Sequence, residues 1–313
     1  MQLSDQSSGP KNASGLNSEV TTDVIKAVPL RHPWRNLISI FLIVVVVAFL
    51  YDASHRDIYD WATFQKYLFN HRVLSGVVVT LELTAYSMVI AVILGIILAV
   101  MRQSPNPILK SVAWTFIWFF RGTPVYVQLV FWGLLSTVYP SITFGIPHVG
   151  DIATIPSINN LSLFVLAVIG LSLNEAAYMA EIVRAGLLSV DRGQEEAAKA
   201  LGMGWALSMR RIIIPQAMRI IIPPTGNEVI SMLKTTSLVT AIPLTIDLYM
   251  ATRDISSTTY KPVPLLLVAS TWYLVFTSVL MVLQYFLEKR FARGYAQMGI
   301  DVQPVALEGM GGG

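Results

Sequence analysis

Long charge-free apolar runs alternate with short polar stretches along this chain. An α-helix rises about 1.5 Å per residue, so roughly 20 apolar residues in succession cross the hydrocarbon core of a bilayer. Six runs approach that length. The first, 36–51, is short and almost wholly aliphatic; the second, 76–101, carries only Glu82. The third, 109–139, is interrupted at 119–124 ("FFRGTP"), where Gly122 and Pro124 bend or break a helix. The fourth, fifth and sixth cover 161–183, 220–242 and 263–287. The pattern predicts an all-α fold, a polytopic transmembrane helical bundle of six spans.

Basic residues orient the bundle, because lysine and arginine in short loops are retained on the cytoplasmic side. Lys26, Arg31 and Arg35 precede the first span, and Arg102 and Lys110 follow the second. Arg184, Arg192, Lys199, Arg210, Arg211 and Arg219 separate the fourth from the fifth, and Lys289, Arg290 and Arg293 follow the sixth. These groups alternate as required, so both termini are expected in the cytosol. Residues 1–35 read as a disordered cytosolic tail, polar and without a signal-like apolar stretch, and 294–313 as a cytosolic C-terminal tail.

Composition removes whole classes of function. Of 313 residues 54% are hydrophobic and 13% charged, with a mean hydropathy of +0.60, a balance suited to lipid. A net charge of +3 does not point to nucleic acid. The absence of cysteine excludes disulfides, thiolate metal sites and a cysteine nucleophile. The scattered histidines, His32, His55, His71 and His148, lack the spacing of a metal site.

The cytoplasmic loop 184–219 is long for a connection between neighbouring spans. Within it, Gln194, Glu195, Glu196, Ala197, Ala198, Lys199 and Ala200 make a short run dense in helix formers, and Gly202 stands where a left-handed cap would stop the helix. A second short helix is expected over 205–214, ended by Pro215. The residues alone allow two readings: a docking element for a cytosolic protein, its alanines permitting close seating, or an amphipathic helix lying on the membrane.

The order Glu196-Ala197-Ala198, three residues, Gly202, nine residues, Ile212, one residue, Ile214 and Pro215 resembles the EAA signature of the membrane subunits of bacterial ATP-binding-cassette importers. Ile214 replaces the usual leucine, a change that conserves volume and polarity. "FFRGTPVYVQL" at 119–129, "LSLNEAAYMAEIVRAG" at 171–186, "GQEEAAKALGMG" at 193–204 and "PPTGNEVISMLKTTSLV" at 223–239 resemble segments of the polar amino-acid permease family, which includes histidine, arginine and glutamine importers. The resemblance covers about 73–293. It implies a five-helix core, with 36–51 as an added N-terminal helix, and an inner-membrane permease that moves an amino acid by alternating access.

The partners so implied are a cytosolic ABC ATPase dimer that binds Mg-ATP, a second permease subunit (identical or paralogous), a periplasmic or lipid-anchored substrate-binding protein, and membrane lipid. Gln194, Glu195, Glu196, Ala197, Ala198, Gly202, Ile212 and Pro215 become the expected ATPase-coupling residues. No cofactor is expected on this chain: no glycine-rich run ends in Gly-Lys-Ser/Thr, and "GMG" at 202–204 has no lysine after it. No nucleophile elbow is present either, so no enzymatic role is expected.

Charged and polar groups at membrane depth are costly and point to a pathway or an internal partner. Glu175 and Glu181 lie in the fourth span, and Glu228 and Lys234 in the fifth. A six-residue spacing turns each pair by about 240° around a helix, so neither pair shares a face. A zwitterionic amino acid needs an acceptor for its ammonium and a donor for its carboxylate. Asn174, Glu175, Tyr178, Glu181, Asn227, Glu228, Lys234, Thr235 and Ser237 are the candidate pathway residues, with Glu181–Arg184 pairing as the alternative for Glu181. Arg121 is expected to anchor the bent helix by binding freed carbonyls. An ion-coupled secondary amino-acid carrier is the alternative function; it has no evident use for the 196–215 element, and no internal repeat supports it.

Overall fold

The computed structural model describes residues 33–138, 142–146, 150–155 and 161–292. The expected tails therefore lie outside the described residues, apart from 33–35, which are helical. The chain divides into two units after His55. The first contains α1 (Pro33–His55), whose large apolar side chains, among them Leu37, Phe41 and Val45, are exposed.

The second unit is a helical bundle. A 3₁₀ turn (Asp57–Tyr59) and α2 (Trp61–Leu68) lead into α3 (His71–Gln103). Then come α4 (Pro107–Gly122), α5 (Val125–Gly133) and α6 (Leu135–Val138). A two-stranded antiparallel hairpin, β1 (Ile142–Ile146) with β2 (Gly150–Ile155), pairs Ile142 with Ile155 and precedes α7 (Leu163–Leu188). The hydropathy pattern did not single out this hairpin, α2 or α11. After α7 come α8 (Arg192–Ala200), α9 (Trp205–Ser208), α10 (Ile214–Thr235) with a 3₁₀ extension (Thr236–Ala241), α11 (Leu248–Thr259) and α12 (Pro262–Ala292).

Among the described residues four helices are long and apolar enough to cross a membrane: α1, α3, α7 and α12. The third predicted span is divided between α4 and α5 at Thr123 and Pro124, both in extended conformation, as "FFRGTP" implied. The fifth corresponds to α10, which keeps Pro223 and Pro224 inside the helix and carries Arg219, Glu228 and Lys234.

The packing of the bundle follows from a solvent that is itself apolar. Bulky aliphatic residues of α3, such as Val89, Ile93 and Ile96, are exposed, whereas its buried side sets small and hydroxyl residues, Gly76, Thr80, Thr84, Ser87, Ala91, Gly95 and Ala99, among Val73, Val77, Leu83, Met88 and Leu98. Close approach of helices gains dispersion energy that lipid contact does not replace. The most extensive pair is α3 with α7. There a Cβ on Gly95 would stand 2.5 Å from the Met179 Cβ and 3.1 Å from the Ala180 backbone nitrogen. The principal core, with Leu83, Leu129, Leu171, Met179 and Met232, lies around α7. A second, with Val73, Val77, Leu248, Ile255 and Val268, ties α3 to α11 and α12.

At the end where α3 and α12 begin, charged groups tie the short elements down. Arg72 pairs with Asp254, Lys261 pairs with Asp60, and Asp60 caps α2 by accepting from the Thr63 backbone. The Trp272 indole donates to the Leu68 carbonyl at 2.8 Å.

Two outcomes follow. Gly95→Val should destabilise the bundle by about 1–3 kcal/mol, the range for overpacking a filled core; an unchanged thermal unfolding midpoint in detergent would refute the tight α3–α7 contact. The Asp60 carboxyl is lowered from 3.8 to about 2, first by the hydrogen bond from Lys261 and then by those from Thr63. Because the folded value is depressed, its stabilisation is fully present above the ordinary value and is lost as pH falls through about 2. Carbon-detected NMR titration of Asp60 should show that midpoint and its return toward the ordinary value in Lys261→Met.

Candidate functional site

The break between α4 and α5 is where the site begins. Breaking a helix leaves backbone carbonyls without partners, and inside a membrane no water replaces them. The Gln128 amide supplies them from one turn into α5, donating to the Phe120 carbonyl at 3.0 Å, the Thr123 carbonyl at 3.1 Å and the Thr123 hydroxyl at 2.7 Å. Asn174, buried on α7, donates to the same Phe120 carbonyl at 3.0 Å and to Gln128 Oε1 at 3.2 Å. The Thr123 hydroxyl completes the cap by donating to the Phe119 carbonyl at 2.9 Å.

This corrects the expectation for Arg121. Two neutral amides hold the freed carbonyls, and the Arg121 guanidinium instead stands over the Tyr178 ring, 5.2 Å from its centroid. A flat amide with two donors fits adjacent carbonyls without burying a charge, which explains the exchange of roles. The signal for Gln128 was present in the sequence as a lone polar residue in "VYVQLVF", just past a break that needed donors.

A cavity of about 640 Å³ opens beside the break. One wall is the break itself, with Arg121, Thr123, Pro124 and Val125 at the N-terminus of α5. Facing it are Asn174, Glu175 and Tyr178 from α7 and Glu228, Ser231 and Thr235 from α10. Glu175 is buried, and its Oε1 has no hydrogen-bond partner. The cavity is thus bipolar. A guanidinium and the positive end of a helix dipole stand on one side, and two carboxyls from different helices stand on the other.

The structure gathers Asn174, Glu175, Tyr178, Glu228 and Thr235 on one cavity. Glu181 is bound by Arg184 at 2.6 Å, the local pairing weighed above, and lines neighbouring hollows. Asn227 and Lys234 are exposed and do not line this cavity, nor does Ser237, whose hydroxyl donates to the Lys234 carbonyl at 2.7 Å. The positive charge facing Glu175 and Glu228 therefore comes from Arg121, where Lys234 had been a candidate.

The loop helix α8 spans Arg192–Ala200, capped at its start by the Asp191 side chain, which accepts from the Gly193 backbone at 2.6 Å. Its end is a Schellman motif: the Met203 N–H donates to the Ala198 carbonyl at 3.0 Å, the Gly202 N–H to the Lys199 carbonyl at 2.9 Å, and Gly202 has φ +73°. Glu195 pairs with Lys199 one turn on, at 2.7 Å, and raises the lysine's pKa, chiefly through that hydrogen bond. Ala198 is buried against the chain's own interior. Gln194, Glu196, Ala197 and Ala200 are exposed, as are Leu201 at 80% and Trp205 at 70%.

Pro215 does not end a helix, contrary to expectation. Trp205–Ser208 runs through a π-helical turn, Met209–Ile213, directly into α10, with Pro215 in the first turn of α10. A π turn widens the helix by one residue, so the proline ring and its missing N–H are accommodated without a break. Ile212 lies in that turn, and its carbonyl accepts from Gln216 Nε2 at 3.0 Å.

Residues 91–293 match the family described as binding-protein-dependent transport system inner membrane component. The chain is 55% identical over 270 residues to the arginine transport system permease protein ArgU of Corynebacterium glutamicum, covering 86% of this chain and 84% of that one. It is 39% identical over 218 residues to the histidine/lysine/arginine/ornithine transport system permease protein HisM of Salmonella typhimurium, covering 69% and 88%. Among solved structures it resembles an amino acid ABC transporter crystallised with histidines, with a TM-score of 0.59 and 36% identity over 70% of this chain and 94% of that one. It shares its fold with the inward-facing MetNI methionine ABC transporter, with a TM-score of 0.52 and 21% identity over 71% and 95%. The chain belongs to the family of inner membrane components of binding-protein-dependent transport systems.

Because Asn174 serves the break, Asn174→Leu should cost about 1–3 kcal/mol by leaving the buried Gln128 Oε1 without its donor. Lys234→Met should leave the unfolding midpoint in lipid nanodiscs within the scatter of wild type; equal effects from the two would contradict the assignment.

Proposed function

We propose that this chain is the permease subunit of an ATP-driven amino-acid importer and supplies one half of its pathway. Six membrane-crossing segments, α1, α3, the broken α4–α5 pair, α7, α10 and α12, put both termini and the α8 loop in the cytosol, in keeping with the placement of basic residues. The bipolar cavity carries the substrate assignment: α5 and Arg121 complement a carboxylate, and Glu175 and Glu228 complement an ammonium. The likeness to arginine and lysine/arginine permeases supports a basic amino acid as the substrate.

Import then runs by alternating access. A binding protein delivers the amino acid to the outer face, and an ATPase dimer seated on α8 closes on Mg-ATP and reorients the helices around the cavity. Hydrolysis resets them. A second permease subunit, identical or paralogous, completes the pathway. In this reading Gln194, Glu195, Glu196, Ala197, Gly202, Ile212 and Pro215 form or frame the coupling element, while Ala198 seats α8 on its own chain. Family membership does not favour a secondary carrier.

Ala197 is exposed on α8. Ala197→Trp should therefore leave stability within about 0.5 kcal/mol while abolishing ATP-dependent uptake of L-arginine by the reconstituted complex. Uptake at the wild-type rate with the ATPase still bound would remove α8 from the coupling path.

A further inference from the structure

Three hollows meet at one pair of side chains. The cavity described above, a hollow of about 530 Å³ reaching Arg102, Trp118 and Arg184, and one of about 440 Å³ reaching Ala185, Ile220 and Pro224 all include Arg121 and Tyr178 in their walls. Two helices give the same order for these spaces. Along α7 the deep cavity takes Leu171, Asn174 and Glu175, the other two take Glu181 and Arg184, and Tyr178 is common. Along α10 the third hollow takes Ile220 and Pro224, the deep cavity takes Ser231 and Thr235, and Glu228 is common to both. At about 1.5 Å per residue, Glu175 and Arg184 are roughly 14 Å apart along the helix axis. The spaces therefore follow one another toward the α8 end, and Arg121 over Tyr178 stands at their junction.

The contact at that junction is exchangeable. Arg184 is already bound to Glu181, but the Arg121 guanidinium rests on an aromatic face, a weaker partner than a carboxylate. Arg121 is exposed to the hollows and precedes Gly122, around which there is open space. Its side chain has room to leave the ring.

We propose that Arg121 and Tyr178 form a gate between the deep cavity and the inner hollows, and that the substrate's α-carboxylate opens it by drawing the guanidinium off the ring. Arg121 is then the positioning residue for that carboxylate, next to the N-terminus of α5, which favours the same negative charge. The proposal rests on the reading of this chain as an amino-acid permease. It adds that recognition and passage are one event: a ligand without the carboxylate leaves the guanidinium on Tyr178.

Two measurements test it on the complete permease–ATPase complex. In proteoliposomes loaded with the decarboxylated amine of L-arginine, without ATP or binding protein, Tyr178→Leu should raise efflux roughly fivefold, the order of factor an exposed cation–π contact carries in a two-state equilibrium. Tyr178→Phe, which keeps the ring face, should retain the amine as wild type does. A folded Tyr178→Leu complex that retains the amine, or a Phe variant that leaks as much as the Leu variant, overturns the gate. In equilibrium binding to the detergent-solubilised complex, Arg121→Gln should weaken L-arginine roughly tenfold and leave its decarboxylated amine unchanged; equal losses for both ligands overturn the carboxylate's part. This binding measurement decides the matter even if Tyr178→Leu does not fold. The permease reading fails separately, through absence of ATP-dependent uptake by the wild-type complex.

Discussion

A backbone carbonyl in hydrocarbon has no water to turn to, and the organisation of this site depends on how that demand is met between α4 and α5. The chain leaves the helix at Gly122 and re-enters one at Val125. Gln128 and Asn174 then hold the exposed peptide groups from the sequence just ahead and from the central helix α7. With the break secured, the start of α5 is turned into the interior and Arg121 is carried to the cavity wall. An uninterrupted helix would have presented neither. The polar interior of the bundle therefore follows from a local accounting of hydrogen bonds.

The remaining helices frame that interior with small residues. Because lipid is as apolar as leucine, burying leucine gains little, and the close fit of Gly95 on Met179 and Ala180 provides contact that lipid cannot match. The same logic leaves many large aliphatic side chains of α3 and α12, such as Val89, Ile93, Leu274 and Val282, on the outside. It leaves α7 at the centre, where one helix can carry the partner of the break, a cavity carboxyl and the Glu181–Arg184 pair in succession.

Much of this was legible in the sequence, for reasons that differ between elements. Runs that meet lipid on one face are long and apolar, so the expected spans overlap α3, α7 and α12 with ends that differ by up to five residues. The break declared itself through Gly122 and Pro124, and the end of α8 through Gly202. What could not be read depended on neighbours. Lys234 reads as a cavity cation until its helix is packed, when it falls outside the cavity that Arg121 lines. Pro215 looks like a terminator because hydropathy and propensity carry no sign of a π turn. Strands β1 and β2, α2 and α11 lie in stretches where no single periodicity dominates.

From Trp205 into α10 the chain is helical without interruption. A turn with one residue in excess, Met209–Ile213, lies between two stretches of regular helix. Each residue of an α-helix advances the face by about 100°. Relocating such a surplus residue along the rod would swivel everything beyond it without breaking the main chain.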